Sequence, residues 1–337
     1  MSVIKIAESD IAFECDADDT ITRAALRAGL GMPYECNVGS CGTCKLELLN
    51  GEIESAWPAA PALSERDRSK NRVLGCQAHA KGDCTIKVRI GDQYVSKHRP
   101  QRVSTALAAM RDITHDIREF DLVADAALPF LPGQYALLTL PGVEGKRAYS
   151  MSNVGGQTDA STWQFQIKRM PGGQGTTVLF DQLPVGARIG MDGPYGSAYL
   201  REDSPRDVVC ISGGSGISPM LSIASAIMHS PAMAARKLHF FYGGRARRDI
   251  CGETELRELP GFGKRLFYYP SLSMLEADAD WRGHTGFVHE NVLPTIGGIP
   301  ADHEFYFAGP PAMTQATQRL LMQSKVPLSQ MHFDQFY

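Results

Sequence analysis

The sequence predicts a multidomain chain of mixed α+β and α/β class, built as a β-grasp unit, then an antiparallel β-barrel, then a parallel-sheet α/β unit. Three observations predict it. At 337 residues the chain exceeds what one core holds and suits two or three domains. Its pattern shifts from short apolar strands with one helix to strict period-two alternation, and after Pro205 to strand, glycine loop, helix, strand. The polar stretch 91–100, Gly-Asp-Gln-Tyr-Val-Ser-Lys-His-Arg-Pro, reads as a linker. The expected units are residues 1–92, 101–203 and 204–337.

In the first unit, strands at 3–7 and 11–15 precede a helix from about Thr20, with Ile21, Ala25 and Ala28 on one face and Gly29 as its stop. A strand over 45–49 turns at Asn50-Gly51, and 85–90 supplies the last strand. Between helix and strand stand Cys36, Cys41 and Cys44, with Cys76 far downstream. The order Cys-x4-Cys-x2-Cys, a long gap, then Cys is the spacing of a plant-type [2Fe-2S] cluster. Gly39 and Gly42 sit where the loop must fold tightly around two irons. A structural zinc site is the rival, but zinc prefers paired arms, and here only one Cys-x2-Cys pair exists. Cys15, Cys84, Cys210 and Cys251 are scattered and read as buried small hydrophobes.

In the second unit, Trp163, Phe165 and Ile167 alternate with Gln164, Gln166 and Lys168, and 134–140 makes another strand between two Pro-Gly pairs. Arg147-Ala148-Tyr149-Ser150 puts a guanidinium, a flat aromatic and a hydroxyl on one strand. Arginine can clamp a diphosphate, tyrosine can stack on an isoalloxazine, and serine can hydrogen-bond near the flavin nitrogen that accepts hydride. The plain alternative is an exposed strand. Gly172, Gly173 and Thr176 then open an expected helix at 177–181, and helix N-termini bind phosphate.

The third unit reads as strand 208–212, loop Gly213-Gly214-Ser215-Gly216, a helix near 219–228 and strand 238–242. Later strands at 266–269 and 304–308 and a helix over 312–323 extend it. Gly213, Gly214 and Gly216 can meet a second pyrophosphate, although Pro219 replaces the last glycine of Gly-x-Gly-x-x-Gly. A serine-hydrolase elbow fails because Ile217 occupies its final glycine position. Gly309 and Pro310 end a later strand, where open parallel sheets bind ligands. Arg245, Arg247 and Arg248 follow the second strand and could meet a 2′-phosphate or form a solvated loop. The ending His332-Phe333-Asp334-Gln335-Phe336-Tyr337 finishes on aromatics that could pack in the core or cover a flavin.

Together these motifs resemble the reductase components of bacterial multicomponent oxygenases, whose chains run ferredoxin, flavin domain, NAD domain. The resemblance spans essentially the whole length and includes Gly193-Pro194-Tyr195-Gly196 and Gly309-Pro310-Pro311. Trp57-Pro58, Lys70-Asn71-Arg72 and the aromatic ending are similar to toluene-type monooxygenase reductases, and Thr114-His115-Asp116-Ile117-Arg118 to naphthalene-type dioxygenase reductases. It implies FAD held by Arg147, Tyr149 and Ser150, its diphosphate by Gly172, Gly173 and Thr176, and Phe336 near the isoalloxazine. Ser150, Tyr149 and Phe336 are thus the implied catalytic residues. Gly214, Gly216 and Pro219 would shape the dinucleotide site with Gly309 and Pro310. Many relatives carry cysteine before Gly-Pro-Pro, where this chain has Ala308.

The implied activity is electron transfer from NADH through FAD and the cluster to an oxygenase or a small Rieske-type ferredoxin. NADH is favoured because relatives with a similar arginine after Tyr-Gly commonly use it. A cluster-bearing binding module and a reductase feeding another pathway, such as sugar deoxygenation, are the other readings. A net charge of -3 without a polybasic run excludes nucleic-acid and lipid-surface partners. No run reaches the ~18 apolar residues of a membrane span, and no signal-peptide core stands near Met1. A cytoplasmic monomer is expected, consistent with thiolate ligands in a reducing compartment.

Overall fold

The computed structural model describes residues 1–155, 161–274 and 280–336; Tyr337 of the aromatic ending lies outside the described residues. The first unit contains β1 (Ser2–Ile6), β2 (Ala12–Cys15), α1 (Ile21–Arg27), β3 (Lys45–Asn50), β4 (Ile53–Ser55), α2 (Glu65–Arg68), β5 (Arg72–Leu74), β6 (Ala78–Ala80) and β7 (Cys84–Lys87). Its sheet runs β2-β1-β7-β3-β5, with β1 parallel to β7, and β4 and β6 form a separate ribbon. Alternation in β1 drives Ile4 and Ile6 into the core against Ile21, Ala25 and Leu26 of α1. The helix ends earlier than expected: Ala28 is its exposed C-cap, and Gly29 follows at φ 83°. Arg23 is buried, so α1 has two covered sides rather than one apolar stripe. The last strand stops at Lys87, short of the expected residue 90.

The second unit contains β8 (Gln101–Asp112), β9 (Ile117–Ala124), β10 (Tyr135–Thr139), β11 (Arg147–Ser150), β12 (Thr162–Lys168), α3 (Gln174–Thr177) and β13 (Arg188–Tyr195). The order is β11-β10-β13-β8-β9-β12. A bridge between Met151 and Phe165 brings the two edges together and closes the barrel. The helix begins at Gln174, three residues before the expected start, and continues as a π-turn over Val178–Gln182. Gln166 departs from the polar-out pattern and is buried, because its amide donates to Glu119 Oε2 (3.0 Å) and its backbone N–H to Ser218 Oγ (3.2 Å).

The third unit contains β14 (Asp207–Gly213), α4 (Ile217–His229), β15 (Leu238–Gly244), α5 (Glu253–Glu258), β16 (Leu266–Leu272), β17 (His284–Thr285), α6 (Val288–Ile296), β18 (His303–Gly309), α7 (Pro311–Gln323) and β19 (Met331–Gln335). Its parallel sheet runs β17-β16-β15-β14-β18-β19. Both faces are covered: Cys210, Phe240 and Tyr306 pack on one side, Ile211, Phe241 and Phe307 on the other. Helix α4 starts at Ile217 rather than Pro219, which its first turn accommodates because the N–H missing from proline has no partner there.

A buried ion network seats the first unit on the barrel. Arg27 of α1 reaches Asp192 of β13 (2.6 Å) and Asp19 (2.8 Å), Lys146 reaches the other Asp192 oxygen (2.6 Å), and Arg102 of β8 reaches Asp19 (2.8 Å). The Tyr195 hydroxyl donates to Asp192 at 2.7 Å. Tyr135, Leu137 and Tyr195 of the barrel pack into the first unit's core. The Tyr135 hydroxyl donates to the Glu35 carbonyl (2.6 Å), and the Gly196 N–H to the Tyr34 hydroxyl (3.0 Å). Burial by itself would raise the Asp192 carboxyl, but hydrogen bonds and charge from Arg27 and Lys146 win and hold it at about 2. Its contribution to stability is therefore present above the unfolded carboxylate value of about 3.9 and lost as pH falls through about 2. Acid unfolding followed by tyrosine fluorescence is expected to show this loss between about pH 4 and 2 in the natural chain and not in Asp192→Asn. At neutral pH that substitution is expected to cost about 3 kcal/mol, because it leaves Arg27 and Lys146 facing an uncharged partner.

Candidate functional site

The cysteine loop leaves α1 and enters β3, so Cys36, Cys41 and Cys44 come from one turn-rich segment while Cys76 follows β5. A hydrogen bond from the Gly75 N–H to the Cys44 carbonyl (2.9 Å) draws the two segments together. The Cys44 and Cys76 sulfurs stand 3.2 Å apart, the Cys41 N–H points at Cys36 Sγ (3.4 Å), and all four thiols are free. The loop bends through positive φ at Asn37 (56°) and Gly42 (81°), the second a conformation glycine adopts without strain. The buried Asn37 side chain has no partner for either polar atom. Within each close pair one thiol is lowered and its partner raised: the hydrogen bond between Cys36 and Cys41 lowers Cys41 and raises Cys36, and that between Cys44 and Cys76 lowers Cys76 and raises Cys44. The thiolate is the ligand form, so four converging sulfurs and a backbone donor fit a [2Fe-2S] cluster.

A cavity of about 1240 Å³ opens beside this loop. The first unit lines it with Glu35, Cys36, Asn37 and Cys76, the barrel with Arg147, Tyr149, Ser150, Gly172, Gly173 and Thr176, and the third unit with Ser215, Asp334 and Phe336. The motif on β11 and the loop before α3 are therefore brought to one wall. The Arg147 guanidinium is steadied by the carbonyls of Glu144 (3.1 Å) and Lys146 (3.3 Å). Burial pushes the Tyr149 hydroxyl up to about 12, so it stays neutral. Ser150 is nearly buried, and its carbonyl accepts from the Ser218 hydroxyl at 2.6 Å, tying β11 to α4. The Thr176 hydroxyl accepts from the Met170 N–H (3.1 Å) and faces the Gly173 carbonyl (3.1 Å), so it also folds the glycine loop. A Cβ at Gly175 would stand 3.2 Å from Arg147 Cγ and 3.4 Å from the Tyr149 hydroxyl. Small residues keep this wall open, and the guanidinium, the ring and the glycine loop fit a flavin dinucleotide; the Gly173 N–H is itself given to the Met170 carbonyl (3.0 Å).

At the C-terminal edge of the third sheet, Gly213, Gly214, Gly216, Gly309 and Pro310 come together. A Cβ at Gly216 would lie 1.9 Å from the Ala308 carbonyl oxygen, and one at Gly309 would lie 2.9 Å from the Gly213 oxygen. No larger residue permits this approach. Pro219 does not join them at the surface; it is buried in the first turn of α4 and acts on the loop through packing. The Phe336 N–H donates to the Gly309 carbonyl (3.0 Å), which fixes the aromatic ending to the same edge. Arg245 stands apart, exposed on the turn after β15 and outside the cavity wall.

Sequence reasoning missed Glu35 and Asp334. Burial, with Glu35 nearby, pushes the Asp334 carboxyl up to about 7. Burial also raises Glu35, whose carboxylate accepts from Thr43 (3.2 Å). The acid within the aromatic ending was the available signal for Asp334; nothing local distinguished Glu35.

Comparison with known proteins agrees with this division. Residues 4–81 match a 2Fe-2S iron-sulfur cluster binding domain, 104–199 an oxidoreductase FAD-binding domain and 210–319 an oxidoreductase NAD-binding domain. The chain is 38% identical over 327 residues to the ferredoxin–NAD(P)(+) reductase CarAd of Metapseudomonas resinovorans, covering 96% of each chain. It is 36% identical to the ferredoxin–NAD(+) reductase component of the alkene monooxygenase system of Xanthobacter autotrophicus, covering 96% of this chain and 98% of the relative. A solved ferredoxin reductase in carbazole 1,9a-dioxygenase superposes with a TM-score of 0.91 at 35% identity, covering 100% of this chain and 98% of that one.

Gly175→Val is expected to fill the wall between Arg147 and Tyr149 and weaken flavin retention about tenfold or more. Flavin absorbance per polypeptide after desalting measures it, with four-thiol iron content unchanged as the control.

Proposed function

The chain belongs to the ferredoxin–NAD(P)+ reductase components of multicomponent oxygenases, and from that membership we propose how its own residues carry the reaction. It is an oxidoreductase with [2Fe-2S]-, FAD- and NAD-binding domains, an electron-transfer component by family. Bound FAD would supply a hydride acceptor for the nicotinamide, and a bound cluster a one-electron outlet toward an oxygenase or a small Rieske-type ferredoxin. The observation that carries the reading is the single cavity lined by Cys36 and Cys76 together with Arg147, Tyr149 and Ser150.

Cys36, Cys41, Cys44 and Cys76 hold the cluster. Arg147 would bind the flavin diphosphate beside the loop of Gly172 and Gly173, which Thr176 and the bond from the Gly173 N–H to the Met170 carbonyl keep closed. Tyr149 and Phe336 enclose the isoalloxazine and exclude water. Ser150, whose backbone carbonyl is held by the Ser218 hydroxyl, would offer its own hydroxyl to the nitrogen that gains hydride. Gly213, Gly214 and Gly216 let the backbone approach the dinucleotide phosphates, and Gly309 and Pro310 shape the nicotinamide side. Near neutrality Asp334 can hold or release a proton at its carboxyl.

The coenzyme is NADH. Asp249 already accepts from the N–H groups of Arg245 (3.1 Å) and Ala246 (2.9 Å), putting a carboxylate where a 2′-phosphate would seek donors. The functional units are residues 1–92, 101–203 and 204–337, a reading supported by sheets that lie wholly within each span. No helix among the described residues is long and apolar enough to cross a membrane. The placement of a monomer in the cytoplasm rests on composition and the thiolate chemistry.

Anaerobic NADH is expected to bleach both flavin and cluster absorbance, whereas NADPH at equal concentration reacts at least about tenfold more slowly; a protein whose spectrum stays oxidised refutes the reading. Ser150→Ala is expected to slow flavin bleaching about 10- to 100-fold in stopped flow with little change in the NADH concentration dependence.

A further inference from the structure

The four cysteines divide between two sides. Cys36 and Cys76 line the cavity shared with the flavin residues, whereas Cys41 and Cys44 do not. The Cys41 side is reached from solvent through Gly42, which is half-buried, and Thr43, which is exposed. Its rim is built by the segment leading into α2: a Cβ at Gly42 would meet Lys45 Cε at 3.3 Å and Ala62 Cβ at 3.5 Å.

Helix α2 is braced against this rim. Ser64 and Asp67 form a capping box, and Asp67 also binds Lys45 (2.8 Å) and Arg72 (3.3 Å). These contacts pair buried Asp67 and leave Arg66 and Arg68 on the two flanks beside it and Lys70 just beyond the helix, all exposed. None of the three has an ion-pair partner among the described residues, and the exposed carboxylate among them is Glu65. Three cations without an ion-pair partner among the described residues thus stand on one short segment, whose lead-in at Ala62 borders the cluster loop at Gly42. Patches of one sign steer partners of the other and raise encounter rates.

We propose that the face formed by Gly42, Thr43 and helix α2, with Arg66, Arg68 and Lys70, is where the electron-accepting protein docks, and that this partner presents an acidic surface there. The proposal rests on the functional reading above and adds the exit side and the charge of the acceptor. Electrons would reach the cysteine site from the cavity side at Cys36 and Cys76 and leave past Cys41, which lies off the cavity wall, so donor and acceptor need not compete for one face.

The test compares the holoprotein with the triple variant R66E/R68E/K70E and with the control K264E/R319E/K325E, which makes the same change in net charge at exposed positions of the third unit. The probe is a strongly acidic Rieske-type ferredoxin, with basic cytochrome c as the contrasting acceptor. Titration calorimetry gives Kd, and stopped flow gives the second-order reduction rate from 50 to 500 mM salt. The triple variant is expected to weaken ferredoxin binding and slow its reduction about tenfold or more, to lose the salt inhibition seen in the natural chain, and to reduce cytochrome c faster. NADH-driven bleaching of flavin and cluster within the variant is expected to remain normal. Unchanged Kd and rate in a normally bleaching triple variant would overturn the docking face alone, as would an equal effect of the control. Absence of bleaching in the unsubstituted holoprotein would overturn the functional reading and the docking face with it.

Discussion

Asp192 is a carboxylate of the barrel that α1 of the cysteine-bearing unit cannot do without. It accepts Arg27, Lys146 and Tyr195 at once, and with Asp19 and Arg102 it forms a charged seam sealed from solvent on most sides. Charges are costly to bury unless each is matched. A seam that brings these charges together in one arrangement defines that arrangement sharply. Its geometric result reaches the chemistry: with α1 seated, Tyr135 of β10 holds the Glu35 carbonyl, and the next residue is Cys36. The distance between the sulfur site and the flavin wall is thereby set by the barrel rather than by the linker at 91–100.

The third unit is fastened by neutral contacts of a different kind. Ser218 and Ser222, both on the same side of α4, donate to the carbonyls of Ser150 (2.6 Å) and Asn153 (2.6 Å). One of these receiving peptides belongs to the strand that carries the flavin motif. The helix that follows the dinucleotide loop is thus hydrogen-bonded to the strand that would hold the flavin, and the two ligands' walls are built as one. The tail completes the arrangement, because β19 pairs with β18 and the amide of Phe336 closes on Gly309.

Motifs that must satisfy chemistry within a few residues were legible in the sequence. The cysteine spacing, the Arg-x-Tyr-Ser strand and the glycine loop each put their function into a local pattern, and period-two alternation exposed the strands around Trp163. Contacts between units were not legible. The helix was read by its apolar face alone, yet Arg27 on its other side reaches a second domain through Asp192. Gln166 read as outward for the same reason, since only the docking of α4 makes that side interior. The start of α4 was placed at Pro219 because spacing gives no hint that the helix has already begun two residues earlier. The start of α3 was placed late because Gln174-Gly175 looks like more loop until Gly173 is seen to cap it.

The sharing of Tyr135, Leu137 and Tyr195 between barrel and cysteine unit has a consequence for dissection of the molecule. A cut through the joint at 91–100 would bare a greasy aromatic scar on the barrel and take Arg27 away from Asp192, leaving that carboxylate to Lys146. The two pieces are therefore one cooperative body, and neither half excised alone would keep the surface it has in the whole.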